Sequence, residues 1–196
     1  LAQLAGNFAY YLVDTGLFAA LYNKIFRRTA LDGVRFDEAL KVNEDLLFCL
    51  AALEHCGPAY FIPAAYYVCD NRAEGSLSRR LRTDLLDAEE YTRPAVAAFL
   101  ARFGASEEET RQVLLKRQGG VAAAQCAMLL GRRGALPFGE YRRLFARLLA
   151  PAHCRDAVAA WVAGCYTGPA RLVYGACVRL RLAGALALVR SLRAGS

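Results

Sequence analysis

The chain has 196 residues, of which 56% are hydrophobic and 22% charged, with a formal net charge of +7. That composition excludes an intrinsically disordered segment and leaves room for one domain, or for part of one with an appendage. Seven cysteines, odd in number and without a Cys-x-x-Cys pair, exclude a small disulfide scaffold and a zinc ribbon.

These cysteines read as reduced core thiols of a cytoplasmic protein. His55 beside Cys56 and His153 beside Cys154 lack ligand spacing, so no metal site is assigned to this chain. No signal-peptide pattern is visible, and Leu1 opening a helical-looking run leads to the expectation of a chain cut in mid-domain.

In chain order, the first strong signal is Asn43-Glu44-Asp45-Leu46-Leu47-Phe48. Leu46, Leu47, Leu50 and Leu53 recur at helical spacing, Asn43 is a favoured N-cap, and Glu44 and Asp45 fall in the first turn. Local chemistry alone makes the two acids partners of the helix dipole, worth roughly 0.3–1 kcal/mol each. Residues 59–62 and 65–69, aromatic and β-branched around Pro63, predict two short strands. Tyr60, Phe61, Tyr66 and Tyr67 are expected in the core, with stacking on a ligand face as the second use.

Residues 81–103 predict a helix that Pro94 divides into Thr83–Thr92 and Pro94–Phe103, ended by Gly104. Ser106-Glu107-Glu108-Glu109 is a capping box that launches a helix through Arg132. Gly119-Gly120 interrupts it at about 1 kcal/mol per residue, and the small run 121–125 permits close helix packing. Pro137 starts a helix to Leu149, and Pro151 separates it from Ala152–Tyr166. Residues 170–192 predict one terminal helix, apolar with Arg171, Arg179, Arg181 and Arg190 interspersed.

Charge is concentrated at this end. Residues 132–196 hold eleven Arg against Glu140 and Asp156, an excess of nine, which leaves the first 131 residues at −2. Such asymmetry calls for an anionic partner. Aromatic interleaving and nucleic-acid-binding motifs are lacking, so nucleic acid is set aside in favour of an anionic membrane surface. Arg179 and Arg181 at the middle of the run oppose spanning and favour an in-plane helix, against the alternative of a helix packed on the bundle.

Taken together and in order, Tyr22-Asn23-Lys24-Ile25-Phe26, Val34-Arg35-Phe36-Asp37-Glu38, Asn43-Glu44-Asp45-Leu46-Leu47-Phe48, Tyr66-Tyr67-Val68-Cys69-Asp70-Asn71-Arg72 and Gly75-Ser76-Leu77-Ser78 resemble the second half of a bacterial family 2 glycosyltransferase. Leu21-Tyr22 departs from the family pattern, where a Trp is usual. The resemblance implies an α/β fragment, predominantly α: the acceptor-side half of an inverting GT-A fold over residues 1–80, followed by a basic helical extension over residues 81–196. It implies that Asp45 is the general base, that Glu44 supports it, and that Asn23, Lys24, Arg72, Ser76 and Ser78 bind substrate.

The resemblance further implies a nucleotide-sugar donor, a glycan or lipid-linked acceptor, and a place in the cytoplasm or at the inner face of the cell membrane. A divalent metal, Mg or Mn, is expected for the intact enzyme. Its ligands belong to a donor half that this chain does not contain, since no Asp-x-Asp occurs here. This piece alone is therefore expected to be inactive. The alternative is a non-catalytic helical interaction or membrane-surface module, in which Glu44 and Asp45 do no more than start a helix.

Overall fold

A computed structural model describes residues 7–57, 60–62, 64, 66–68, 81–131 and 136–194, with side chains described as far as Ser191. Seven α-helices are present among them: α1 (Glu44–Glu54), α2 (Leu85–Arg102), α3 (Glu107–Leu130), α4 (Phe138–Leu149), α5 (Ala152–Cys165), α6 (Gly168–Arg179) and α7 (Ala183–Ala194). A π-helical turn at Tyr10–Asp14 and a 3₁₀ turn at Arg28–Leu31 precede them. The chain forms two compact units, residues 1–72 with 87–117, and residues 73–86 with 118–196. Both differ from a simple division at residue 80, because α2 and the first half of α3 belong with the N-terminal segment.

In the first unit Leu46, Leu50 and Leu53 of α1 meet Val96, Phe99 and Leu100 of α2 and Val113 and Leu114 of α3, together with Phe8, Leu12 and Phe18. Phe99 is the hub. Its ring takes Phe8 and Phe18 edge-on at 6.4 and 6.3 Å, and Phe103 at 4.7 Å, geometries that add to plain area burial. The Ser106 capping box closes as its residue types require: the Ser106 amide donates to Glu109 Oε2 at 2.8 Å, and the Glu109 amide donates back to Ser106 Oγ at 3.2 Å.

The second unit is a helical bundle. Cys126 and Leu129 of α3, Tyr141, Phe145 and Leu148 of α4, Val158 and Val162 of α5, Val178 of α6, and Leu186 and Ala187 of α7 are all buried in its core. Arg190 is buried there too, donating from Nε to the Leu129 carbonyl at 3.1 Å with its guanidinium 5.5 Å over the Tyr141 ring. A Cβ built on Gly119 would lie 3.1 Å from Ala157 Cβ, whereas one on Gly120 meets nothing within 4 Å. Close approach of α3 to α5 at this point therefore rests on Gly119, while Ala122 and Val121 of the following small run pack in the bundle core. Gly120→Ala is expected to stabilise by about 0.8–1 kcal/mol through helix propensity, and Gly119→Val to destabilise by about 1–3 kcal/mol through overpacking. Urea unfolding of the two variants checks the opposite signs.

Four expectations are corrected. No strand occurs among the described residues: 60–62 and 66–68 belong to no ladder, residues 59, 65 and 69 of the expected strands lie outside the described residues, and a short β-prone segment takes up strand pairing only where a neighbour offers it. For the same reason Tyr60, Phe61, Tyr66 and Tyr67 are exposed rather than core. Pro94 does not divide α2, which runs continuously from Leu85 to Arg102; burial of Val96, Phe99 and Leu100 just beyond it outweighs one lost helical hydrogen bond. The expected single helix over 170–192 is two helices, α6 and α7, separated by a turn in which Arg181 takes the left-handed conformation at φ 55°. Folding back in this way buries Tyr174, Cys177 and Val178 on one arm and Leu186, Ala187 and Arg190 on the other.

Candidate functional site

The site is built on the first unit, where α1 begins. Asn43 sits in the left-handed region at φ 65°, ψ 11°, and its side chain makes no capping hydrogen bond. Its expected side-chain cap is thus replaced by a backbone bend that Asn tolerates better than most residues. The Asn43 carbonyl accepts from the Leu47 amide at 3.2 Å, so the helix starts immediately after the bend. Glu44 and Asp45 therefore occupy the first turn, while Leu46, Cys49, Leu50 and Leu53 bury the opposite face.

Asp45 is half-buried and makes no hydrogen bond or ion pair with any described residue. Burial pushes its carboxyl above the usual value of 3.8, the Glu44 charge pushes the same way, and the Lys24 charge opposes both. A helix N-terminus by itself lowers a carboxylate pKa. Here desolvation and the neighbouring acid outweigh it.

Lys24 approaches from the loop that follows the π-helical turn. Its ammonium donates to the Leu17 carbonyl, to the Ala20 carbonyl at 2.5 Å and to Asn23 Oδ1 at 2.8 Å, which commits all three of its N–H groups. Burial lowers its pKa, while the charges of Cys49 and Asp45 act to raise it. Cys49 is fully buried and its thiol is pushed up to about 11 by burial, the Lys24 charge opposing. Such a thiol is a packing group and not a nucleophile.

Asn23, Lys24, Glu44 and Asp45 thus come together within one unit. Arg72, Ser76 and Ser78 lie outside the described residues. Two aromatic contacts flank the site and were not singled out by sequence reasoning. Phe36 stacks on Phe48 of α1 with centroids 4.3 Å apart, which fixes the loop carrying Asp37 and Glu38 against α1. Tyr22, two residues before Lys24, stacks on Tyr67 at 4.7 Å and 23° while the two rings stay 61% and 54% exposed. Nothing local in the sequence pairs residues 45 positions apart. Tyr91 of α2 donates its hydroxyl proton to Asp37 Oδ2 at 2.7 Å, anchoring the same loop from the other side.

No three His, Cys, Asp or Glu side chains among the described residues are grouped to hold a metal ion. The described residues do not compose the divalent-metal site that the family resemblance implies. Among the described residues no helix is long and apolar enough to cross a membrane.

No family model matches the chain, and no solved structure matches it. The chain is similar to the succinoglycan biosynthesis protein ExoO of Rhizobium meliloti (strain 1021), with 36% identity over 108 residues, 54% of this chain. The matched region spans 30% of that relative's length.

Proposed function

We propose that this chain carries the acceptor side of an inverting glycosyltransferase that builds a glycan, with Asp45 as the general base. One observation carries the reading: a half-buried carboxylate with a raised pKa, bound to no described residue, stands at the start of a helix beside a fixed lysine. Similarity to a protein named for succinoglycan biosynthesis supports glycan synthesis as the setting.

In the proposed reaction Asp45 accepts the proton of an acceptor hydroxyl as that oxygen forms a bond to the anomeric carbon of a nucleotide sugar. The bond from that carbon to the diphosphate oxygen breaks, and the nucleoside diphosphate leaves with the electron pair. A carboxylate with a raised pKa is a stronger base than an ordinary Asp, which suits proton abstraction from a hydroxyl. Glu44 contributes by raising that pKa. Lys24 is a positioning residue: with its donors committed to Leu17, Ala20 and Asn23, it holds the loop and supplies a fixed positive charge near Asp45. The exposed Tyr22–Tyr67 stack offers an apolar face to a pyranose ring of the acceptor. Donor, metal and nucleotide contacts fall to residues beyond those described.

Stereochemistry tests the reaction type. Transfer by the full-length polypeptide from an α-linked nucleotide sugar, followed by NMR of the product's anomeric proton, is expected to give the β-linked product. An α-linked product overturns inversion and the base role of Asp45 with it.

A further inference from the structure

The second unit carries a surface feature with no part in the sugar-transfer reading. A shallow groove of about 820 Å³ is lined by Gly139, Arg142, Arg143 and Ala146 of α4 and by Arg181, Leu182 and the first turn of α7. Arg142, Arg143 and Arg181 are all exposed. Arg142 and Arg181 make no ion pair with any described residue, and Arg143 has only a long contact to Glu140 at 3.9 Å. Three guanidinium groups therefore line one concavity, with Glu140 as the one acid on α4 beside them.

Apolar side chains project from the same turn. Leu180 and Leu182, on either side of Arg181, are 67% and 45% exposed, and Phe138 at the start of α4 is also exposed. Arg181 at φ 55° reverses the chain between α6 and α7, and this tight turn is closed by Arg181 and Leu182 amides donating to the Val178 and Cys177 carbonyls at 3.2 and 2.8 Å. Leucines at the tip of a tight turn, rimmed by three exposed arginines of which only Arg143 has an acid partner, Glu140 at 3.9 Å, match the layered chemistry of a bilayer interface: apolar groups below, anionic phosphates at headgroup depth.

We infer that the corner formed by the α6–α7 turn and the start of α4 is a docking surface for anionic phospholipid, with Arg142, Arg143 and Arg181 engaging headgroup phosphates and Leu180 and Leu182 entering the acyl boundary. This replaces the in-plane helix over 170–192, which the structure breaks in two, with a compact corner that needs no refolding. It is independent of the catalytic reading, because all of its residues lie in the second unit.

Sedimentation of the full chain with vesicles tests it, using phosphatidylcholine alone against phosphatidylcholine mixed with phosphatidylglycerol. Binding to the mixed vesicles only is expected, weakening as the Debye length falls from about 10 Å at 0.1 M to about 3 Å at 1 M salt. Each basic residue near an anionic surface contributes roughly fivefold to partitioning, so Arg142→Gln with Arg143→Gln and Arg181→Asn is expected to lower it by about 100-fold; Asn suits the left-handed site. Leu180→Ser with Leu182→Ser is expected to lower it as well. A charge-matched control on the first unit, Arg27→Gln with Arg28→Gln and Arg35→Gln, is expected to retain most of the binding. Three results overturn the inference: equal binding to neutral vesicles, a groove triple that binds like the control triple, or displacement by glycerol phosphate at matched ionic strength, which reassigns the groove to a soluble phosphate.

Discussion

Arg117→Met is expected to destabilise the protein by about 3–5 kcal/mol, because it breaks a buried ion pair from one side. Arg117 on α3 and Glu89 on α2 form a bidentate pair, Nε to Oε1 at 3.0 Å and Nη2 to Oε2 at 2.6 Å, with side chains only 8% and 4% exposed. Removing the guanidinium leaves the Glu89 carboxylate buried without its counter-charge, and that desolvation penalty, not the lost attraction, is the dominant cost. The double variant Glu89→Leu with Arg117→Met removes both charges and is expected to recover much of the loss. Guanidinium unfolding of the two single variants and the double variant measures this. A single-variant loss under about 1 kcal/mol would mean that the pair is solvated in solution.

Asp45→Asn, placed in the full-length polypeptide, is expected to lower turnover by about 10²–10⁴-fold with donor binding nearly unchanged, because the shape is kept and the base is removed. Stability should not fall with it. Since burial holds the Asp45 pKa above 3.8 in the folded state, protonation favours folding. That contribution is full below the ordinary carboxylate value and is lost as pH rises through the raised folded pKa. At neutral pH the parent no longer has it, so the Asn variant should melt at the same temperature or higher. A large activity loss with no stability loss separates a catalytic role from a structural one. Turnover within a few-fold of the parent, or an equal fall in melting temperature and activity, removes Asp45 from the base position.

Features fixed by residues close in sequence were legible before the fold was seen. The Ser106–Glu109 capping box closes through contacts three residues apart, and Pro137 and Pro151 stand immediately before α4 and α5 as N-caps. The start of α1 at Glu44 was likewise readable. What escaped is set by partners distant in the chain or by backbone carbonyls that no side-chain pattern encodes. Nothing in Leu180-Arg181-Leu182 carries a Gly or Pro signal, yet burying both arms of the hairpin against the bundle breaks the helix there. The substrate-binding role of Lys24 is implied by the resemblance alone, and no local pattern encodes the anchoring of its ammonium on the Leu17 and Ala20 carbonyls and on Asn23 Oδ1. Asn43 was legible as a helix start but not as a left-handed bend, since both uses favour the same residue. The strands expected at 59–62 and 65–69 depended on neighbours that a local pattern cannot supply.

The pH dependence of kcat/KM for the full-length polypeptide, in the parent and in Glu44→Gln, tests the role of Asp45 most directly. Activity should fall on the acid side as Asp45 is protonated, with a midpoint above 3.8, because burial and the Glu44 charge both raise its pKa. Removing the Glu44 charge should move that midpoint down toward the ordinary carboxylate value. An acid limb that stays in place in Glu44→Gln, or that survives undiminished in Asp45→Asn, would contradict the assignment of Asp45 as the base.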